Sequence, residues 1–357
     1  MPKSIKPLSA QVMVITGATS GIGLATARQA AARGAKLVLA ARNAEALTLL
    51  GEELRARGAA VETVVCDVGV EAEVKALAAR ALAAFGGFDT WVNNAGVSIY
   101  GRIEDTPIDD QRRLFDTNYW GAVYGSLAAL EHLRTREDGG ALINVGSVLS
   151  DVTIPLQGVY CASKHALKGF TNALRSETRR SAPKVRITLI KPSAIDTPYK
   201  EHAHNLTGQP PTNPPPVYAT PLVAEAILHA AEHRVRELTV GFGGRALALS
   251  VGLAPHLAEP VMAWAAPILT RDRKSNHKRD SDALRAPGKD LRERAPYAVV
   301  RKTSLYLAAQ THPEITAGVL FGAGLLLGAV FKARQELHDA RVRRDATRRL
   351  RAKLESR

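Results

Sequence analysis

Cysteine is almost missing from this 357-residue chain, with only Cys66 and Cys161 present. So sparse a pair excludes a disulfide framework and suits a reducing compartment. Cys66 reads as packing at a strand end, and Cys161 as a helix filler rather than a nucleophile. No His/Cys cluster has metal-ligand spacing; His202 and His204 come nearest and read as loop residues. No internal repeat is present. The N-terminus opens without an apolar signal segment, so a cytoplasmic location is expected. Aromatics make up 5% of the chain, and none interrupts the basic C-terminal run. Nucleic-acid binding by that run is therefore not expected.

What is present alternates. Strands are expected near Gln11–Thr16, Lys36–Ala40, Val61–Cys66, Thr90–Asn93, Ala141–Val145, Arg186–Ile190 and Glu237–Gly241. Helices are expected up to Arg33, then near Asn43–Arg57, Glu71–Phe85, Ile108–Leu133, Tyr160–Arg180 and Pro221–His233. Such alternation implies an α/β fold, a doubly wound parallel sheet covered on both faces. Ligands of such sheets bind at the carboxyl ends of the strands.

The first strand runs into Gly17-Ala18-Thr19-Ser20-Gly21-Ile22-Gly23 and an Ala-rich helix. Strand, glycine turn and helix together suit a pyrophosphate, because backbone N–H groups can approach it at a helix N-terminus. After the second strand stand Ala41 and Arg42. An acid here would bind a ribose 2′-OH, whereas an arginine accommodates a 2′-phosphate. NADP(H) is thus favoured, with NAD(H) as the alternative.

Ser147 closes a strand, and Tyr160 and Lys164 lie one helical turn apart on one face. An ammonium beside a phenol favours the phenolate and lowers its pKa from about 10. Ser147 would hydrogen-bond the oxygen that the tyrosine protonates. The set suits proton exchange with a carbonyl or an alcohol.

These motifs, in this order, resemble the short-chain dehydrogenase/reductase family over roughly 8–243. The resemblance assigns the cofactor turn to Gly17, Thr19, Ser20, Gly21, Ile22 and Gly23. It assigns an adenine contact to Asp67, and the cofactor border to Asn94, Ala95 and Gly96. Pro192, Ile195 and Thr197 would line the nicotinamide, with Tyr160 and Lys164 at its ribose. Asn118 matches a fourth catalytic residue beside Ser147, Tyr160 and Lys164. One departure is Ser193, where the family usually carries glycine.

Beyond the Rossmann-fold catalytic domain (1–243), two further segments are expected. The first, 244–300, is apolar and lid-like, then basic. The second, 301–357, is a glycine-rich apolar helix followed by a basic helical tail. The loop 205–220 holds five prolines and is placed to cover a substrate. Residues 246–269 read as an amphipathic helix pair. Residues 315–331 carry no charge, close to the lower limit for crossing a bilayer. Residues 271–357 hold 21 of the 48 Lys and Arg but only 10 of the 34 Asp and Glu. Basicity thus sits in the extension, which suits anionic lipid head groups. A simple span would put tail and catalytic domain on opposite sides, against the positive-inside rule. Monotopic or re-entrant attachment, packing against 246–269 or a second subunit, and a buried helix of a soluble homo-oligomer all stay open.

The expected activity is an NADP(H)-dependent carbonyl–alcohol oxidoreductase acting on a lipophilic substrate, with membrane association through 315–357. The alternative is a non-catalytic, membrane-attached nucleotide-binding relative.

Overall fold

A computed structural model describes residues 5–270, 282–288, 291–319, 321, 323–327, 331, 332, 334, 335 and 338. The remainder of the basic tail lies outside the described residues. Two compact units are present, residues 1–307 and residues 308–357.

Seven strands form one parallel sheet: β1 (Val12–Thr16), β2 (Lys36–Ala41), β3 (Val61–Val65), β4 (Thr90–Asn93), β6 (Gly140–Val145), β7 (Val185–Pro192) and β9 (Glu237–Val240). Their order is β3-β2-β1-β4-β6-β7-β9. Between them β5 (Ile99–Tyr100) and β8 (His204–Asn205) make a separate two-stranded parallel ladder. β1, β4 and β6 are buried along their whole length, as a sheet covered on both faces requires. Register is tight, with Val14 opposite Val38 and Trp91. The strand order reverses between β1 and β4, which opens a crevice beyond their carboxyl ends.

Helices α1 (Gly21–Ala32), α2 (Ala44–Ala56), α3 (Glu71–Phe85), α4 (Ile108–Phe115), α5 (Gly121–Leu133), α6 (Gly158–Ser181) and α8 (Thr220–Glu232) flank the sheet, with the short α7 (Tyr199–His202) before β8. Asn43 caps α2 by accepting from the Ala46 N–H at 2.9 Å. Core clusters fill both faces of the sheet. One joins Met13, Leu24, Leu39 and Ile227; the other joins Val14, Leu77, Phe88 and Trp91.

Two expectations change here. The helix expected over 108–133 is interrupted by a π-helical turn, Asp116–Trp120, between α4 and α5. Apolar spacing predicts a continuous helix and is blind to one inserted residue. His202 and His204 lie in α7 and β8 rather than in a loop. No group able to hold a metal ion is found among the described residues.

Beyond β9 the chain folds back over the sheet's carboxyl edge. α9 (Phe242–Leu253) and α10 (Pro255–Leu269) form a helix pair, and Leu305–Thr311 forms α11. Among the described residues no helix is long and apolar enough to cross a membrane.

Candidate active site

The glycine turn after β1 is compressed to the limit of its chemistry. A Cβ placed on Gly23 would fall 2.0 Å from the Gly17 carbonyl oxygen. Gly17 has φ +65°, and a Cβ there would meet Ala95 at 2.8 Å. Asn94 holds the turn, donating from Nδ2 to the Thr16 and Gly17 carbonyls at 2.9 and 3.1 Å. Thr16 Oγ1 accepts from the Asn94 and Ala95 N–H groups. The leading N–H groups of a helix have no partner within it; Gly21 gives its own to the Arg292 carbonyl at 2.9 Å, and Ile22 borders an open cleft of about 200 Å³. Thr19, Ser20, Asp67 and Gly96 border the same cleft. This cradle fits the pyrophosphate of a dinucleotide.

Two of the expected cofactor ligands have protein partners. The Asp67 carboxylate pairs with Arg113 and accepts from the Gly69 N–H at 2.9 Å. The Arg42 guanidinium donates to the carbonyls of Ala283, Leu284 and Ala286. Nothing in the sequence marks these bonds, since the acceptors lie over 240 residues away and are backbone atoms.

At the carboxyl end of β6, Ser147 turns the chain into a short 3-10 helix and accepts the Leu149 N–H on Oγ at 3.1 Å. From the facing turn of α6, Tyr160 brings its hydroxyl to hydrogen-bond with Ser147 and with Tyr199. The Tyr160 and Tyr199 rings meet edge to face, 5.6 Å apart. Tyr199 in turn bonds Ser98 and accepts from Gln157 Nε2 at 3.3 Å. Sequence reasoning missed Tyr199. The one signal for it is an aromatic two residues after Thr197.

Lys164 does not act on the phenol as expected. Burial pushes the Tyr160 hydroxyl up to about 12, although the bonds from Tyr199 and Ser147 pull it down. The Lys164 ammonium is 5.7 Å from the tyrosine ring centroid and donates instead to the Val145 carbonyl at 2.9 Å. Burial lowers its own pKa to about 8. Desolvation outweighs the neighbour, so the phenol is protonated across neutral pH.

Asn118 sits in the π-helical turn. Its side chain accepts the Val97 N–H at 2.8 Å and donates to the Val97 carbonyl at 2.9 Å. Gly96 lies between it and Lys164: a Cβ there would sit 3.4 Å from Asn118 Oδ1 and 3.7 Å from Lys164 Nζ. Behind them Asn93 donates to Asn144 at 2.8 Å, joining β4 to β6 through a buried polar network. Ser193 donates its N–H to the Val240 carbonyl at 3.0 Å, and its φ is not positive, so the missing glycine introduces no strain.

Next to the cleft lies a second cavity of about 500 Å³. Ser147, Tyr160 and Lys164 form its floor, while Pro192 and Ile195 lie at its side. Leu247, Met262 and Ala266 of the α9–α10 pair, with Pro214–Pro216 of the proline loop, wall it with apolar surface. Ile22, Asn94, Gly96, Thr197 and Tyr199 border both spaces, so cleft and cavity are continuous.

Comparison with known proteins agrees with this geometry. The family profile described as short chain dehydrogenase matches residues 11–206. The oxidoreductase YxnA of Bacillus subtilis is 43% identical over 330 residues, spanning 92% of either chain. A short chain dehydrogenase/reductase from Burkholderia phymatum, solved with NAD, superposes with a TM-score of 0.63 at 29% identity, over 69% of this chain and 94% of its own. An alcohol dehydrogenase from Thermococcus sibiricus, solved with 5-hydroxy-NADP, gives 0.56 at 28% identity, over 64% and 95%. The chain belongs to the short chain dehydrogenase family of oxidoreductases.

Proposed function

We propose that this enzyme interconverts a carbonyl and an alcohol on a lipophilic substrate, using NADP(H), with Tyr160 as the proton donor and acceptor. One observation carries the reading: Tyr160, with Ser147 and Tyr199 beside it, faces an apolar cavity that opens onto the glycine-turn cleft. A bound nicotinamide dinucleotide supplies or accepts the hydride. In the reductive direction Tyr160 gives its proton to the substrate oxygen. With substrate bound, Ser147 turns its single O–H from the phenol to that same oxygen and fixes its position. Tyr199 donates to the phenol oxygen and stabilises the phenolate as it forms. Lys164 brings a cation to within reach of the same place, and Asn118 holds the backbone of Val97, in the loop between β4 and β5, beside it. The apolar walls exclude water and favour a hydrocarbon chain or ring. Preference for a 2′-phosphate follows from Ala41, which leaves no acid at the end of β2, and from Arg42 at the cleft edge.

The test is oxidation of NADPH, with NADH in parallel, against ketones of increasing chain length. Turnover is expected to rise with chain length and to be higher with NADPH. Tyr160→Phe is expected to lower kcat at least about 100-fold while still binding NADPH, since a positioned acid contributes about 10²–10⁴-fold. Retained turnover in that variant overturns the assignment.

A further inference from the structure

Residues 282–288 and 291–293 are built into the wall of the dinucleotide cleft. Ala283, Pro287 and Gly288 line it opposite the glycine turn. Backbone bonds join the two sides: the Leu291 N–H donates to the Thr19 carbonyl at 2.7 Å, and the Gly21 N–H donates to the Arg292 carbonyl at 2.9 Å. At the end of β2, Arg42 and Asn43 donate to carbonyls of the same segment, from Ala283 to Gly288.

Anchors on both flanks keep it in place. Leu284 is fully buried in the cluster that holds Tyr160 and Leu114. Arg285 pairs with Asp110 at 2.6 Å, and Arg292 pairs with Glu201. Arg28 on α1 pairs with Glu293 at 2.7 Å, and the Ala295 N–H donates to Asp196 at 3.0 Å. A surface excursion would not need so many bonds to the one turn and strand end that cradle a dinucleotide.

We infer that residues 282–288 and 291–293 form a strap over the adenosine half of the cofactor, so that a bound nicotinamide dinucleotide leaves only when this strap lifts. The inference rests on the cleft being the dinucleotide site, as proposed above. In it Arg42 is a clasp: its planar fork joins the end of β2 to the strap and keeps the guanidinium at the adenosine edge. The cation stays within the cleft wall.

The rate of cofactor release tests this on the full-length protein. Bound NADPH is chased with excess NADP⁺ and followed by its fluorescence in a stopped-flow instrument. Arg285→Ala with Arg292→Ala removes two anchoring arginines whose side chains are 60% and 48% exposed. Release is expected to quicken about threefold to tenfold in the double variant, as the loss of two such pairs allows. Arg292→Lys is expected to stay near the parent rate. Hydrogen exchange gives a readout free of mutation: NADPH should slow exchange at the Leu291 and Gly21 amides. Unchanged release together with unchanged exchange overturns the strap, even if the variant unfolds at a lower temperature. Failure of the parent protein to bind NADPH or NADH overturns both the strap and the cofactor reading. Binding with neither effect overturns the strap alone.

Discussion

The proton chemistry of this site is set by burial more than by charge. The Tyr160 hydroxyl stands at about 12, lowered against its desolvation by two hydrogen bonds. Removing one of them, in Tyr199→Phe, should raise the phenol further. A bond to a charged oxygen contributes roughly 1.5–3 kcal/mol, which corresponds to about one to two pH units. The pH profile of alcohol oxidation should therefore move to higher pH by about one unit, and a loss of rate without that move would make Tyr199 merely structural. Lys164 carries the opposite strain. Its pKa is pulled to about 8 from an ordinary 10.5. The cost of holding its charge is fully present below pH 8 and is relieved as pH rises toward 10.5. In the protein without cofactor, Lys164→Met should raise stability at pH 7 by about 1–2 kcal/mol, after the lost bond to Val145 is counted. Denaturant titration checks this, and the gap should close near pH 10.5. Ser147, Tyr160 and Lys164 were legible from spacing alone. The titration order was not, because sequence shows neighbours but not solvent.

The turn that carries Ser147 is fastened by one carboxylate. Asp151 accepts from Lys168 on α6 and from Lys191 on β7, the latter at 2.9 Å. Burial alone would raise the Asp151 carboxyl, but the two lysine bonds more than offset this and hold it below its ordinary value. Its contribution is present above pH 4 and is lost as pH falls through the folded value. Asp151→Asn leaves the buried Lys191 with Glu237 as its remaining charge partner, at 2.6 Å. A loss of roughly 2–4 kcal/mol is expected at pH 7, shrinking in acid, as urea titrations at the two pH values would show. A loss that is equal at both pH values would point to packing instead. Most elements were predictable here, since buried strands read as apolar runs and Asn43 and Pro221 mark helix starts. The π-helical turn escaped because the helix before it, Ile108–Phe115, is mostly charged or polar and offers too few apolar positions to register a shift of one residue. The Asn118 side chain in that turn accepts from the Val97 N–H at 2.8 Å.

For the molecule as a whole, the catalytic unit extends past the Rossmann sheet to residue 307. Its core includes Leu307 itself. A chain ending at Thr311 should therefore unfold within about 2 °C of the parent, by calorimetry. A drop of 5 °C or more would make the last segment part of the folding unit. The strap was invisible in the sequence for a simple reason. It meets the glycine turn and the end of β2 through its carbonyls and amides, which every residue has, and the side chains that anchor it follow no period. Its location also sets an order of events during synthesis. Ser20 and its partner Arg292 are 272 residues apart. At about 5–20 residues per second, the ribosome makes the cradle tens of seconds before its cover. A nascent chain thus presents an open nucleotide groove that captures only weakly. Firm retention of cofactor marks a chain whose translation has passed the strap.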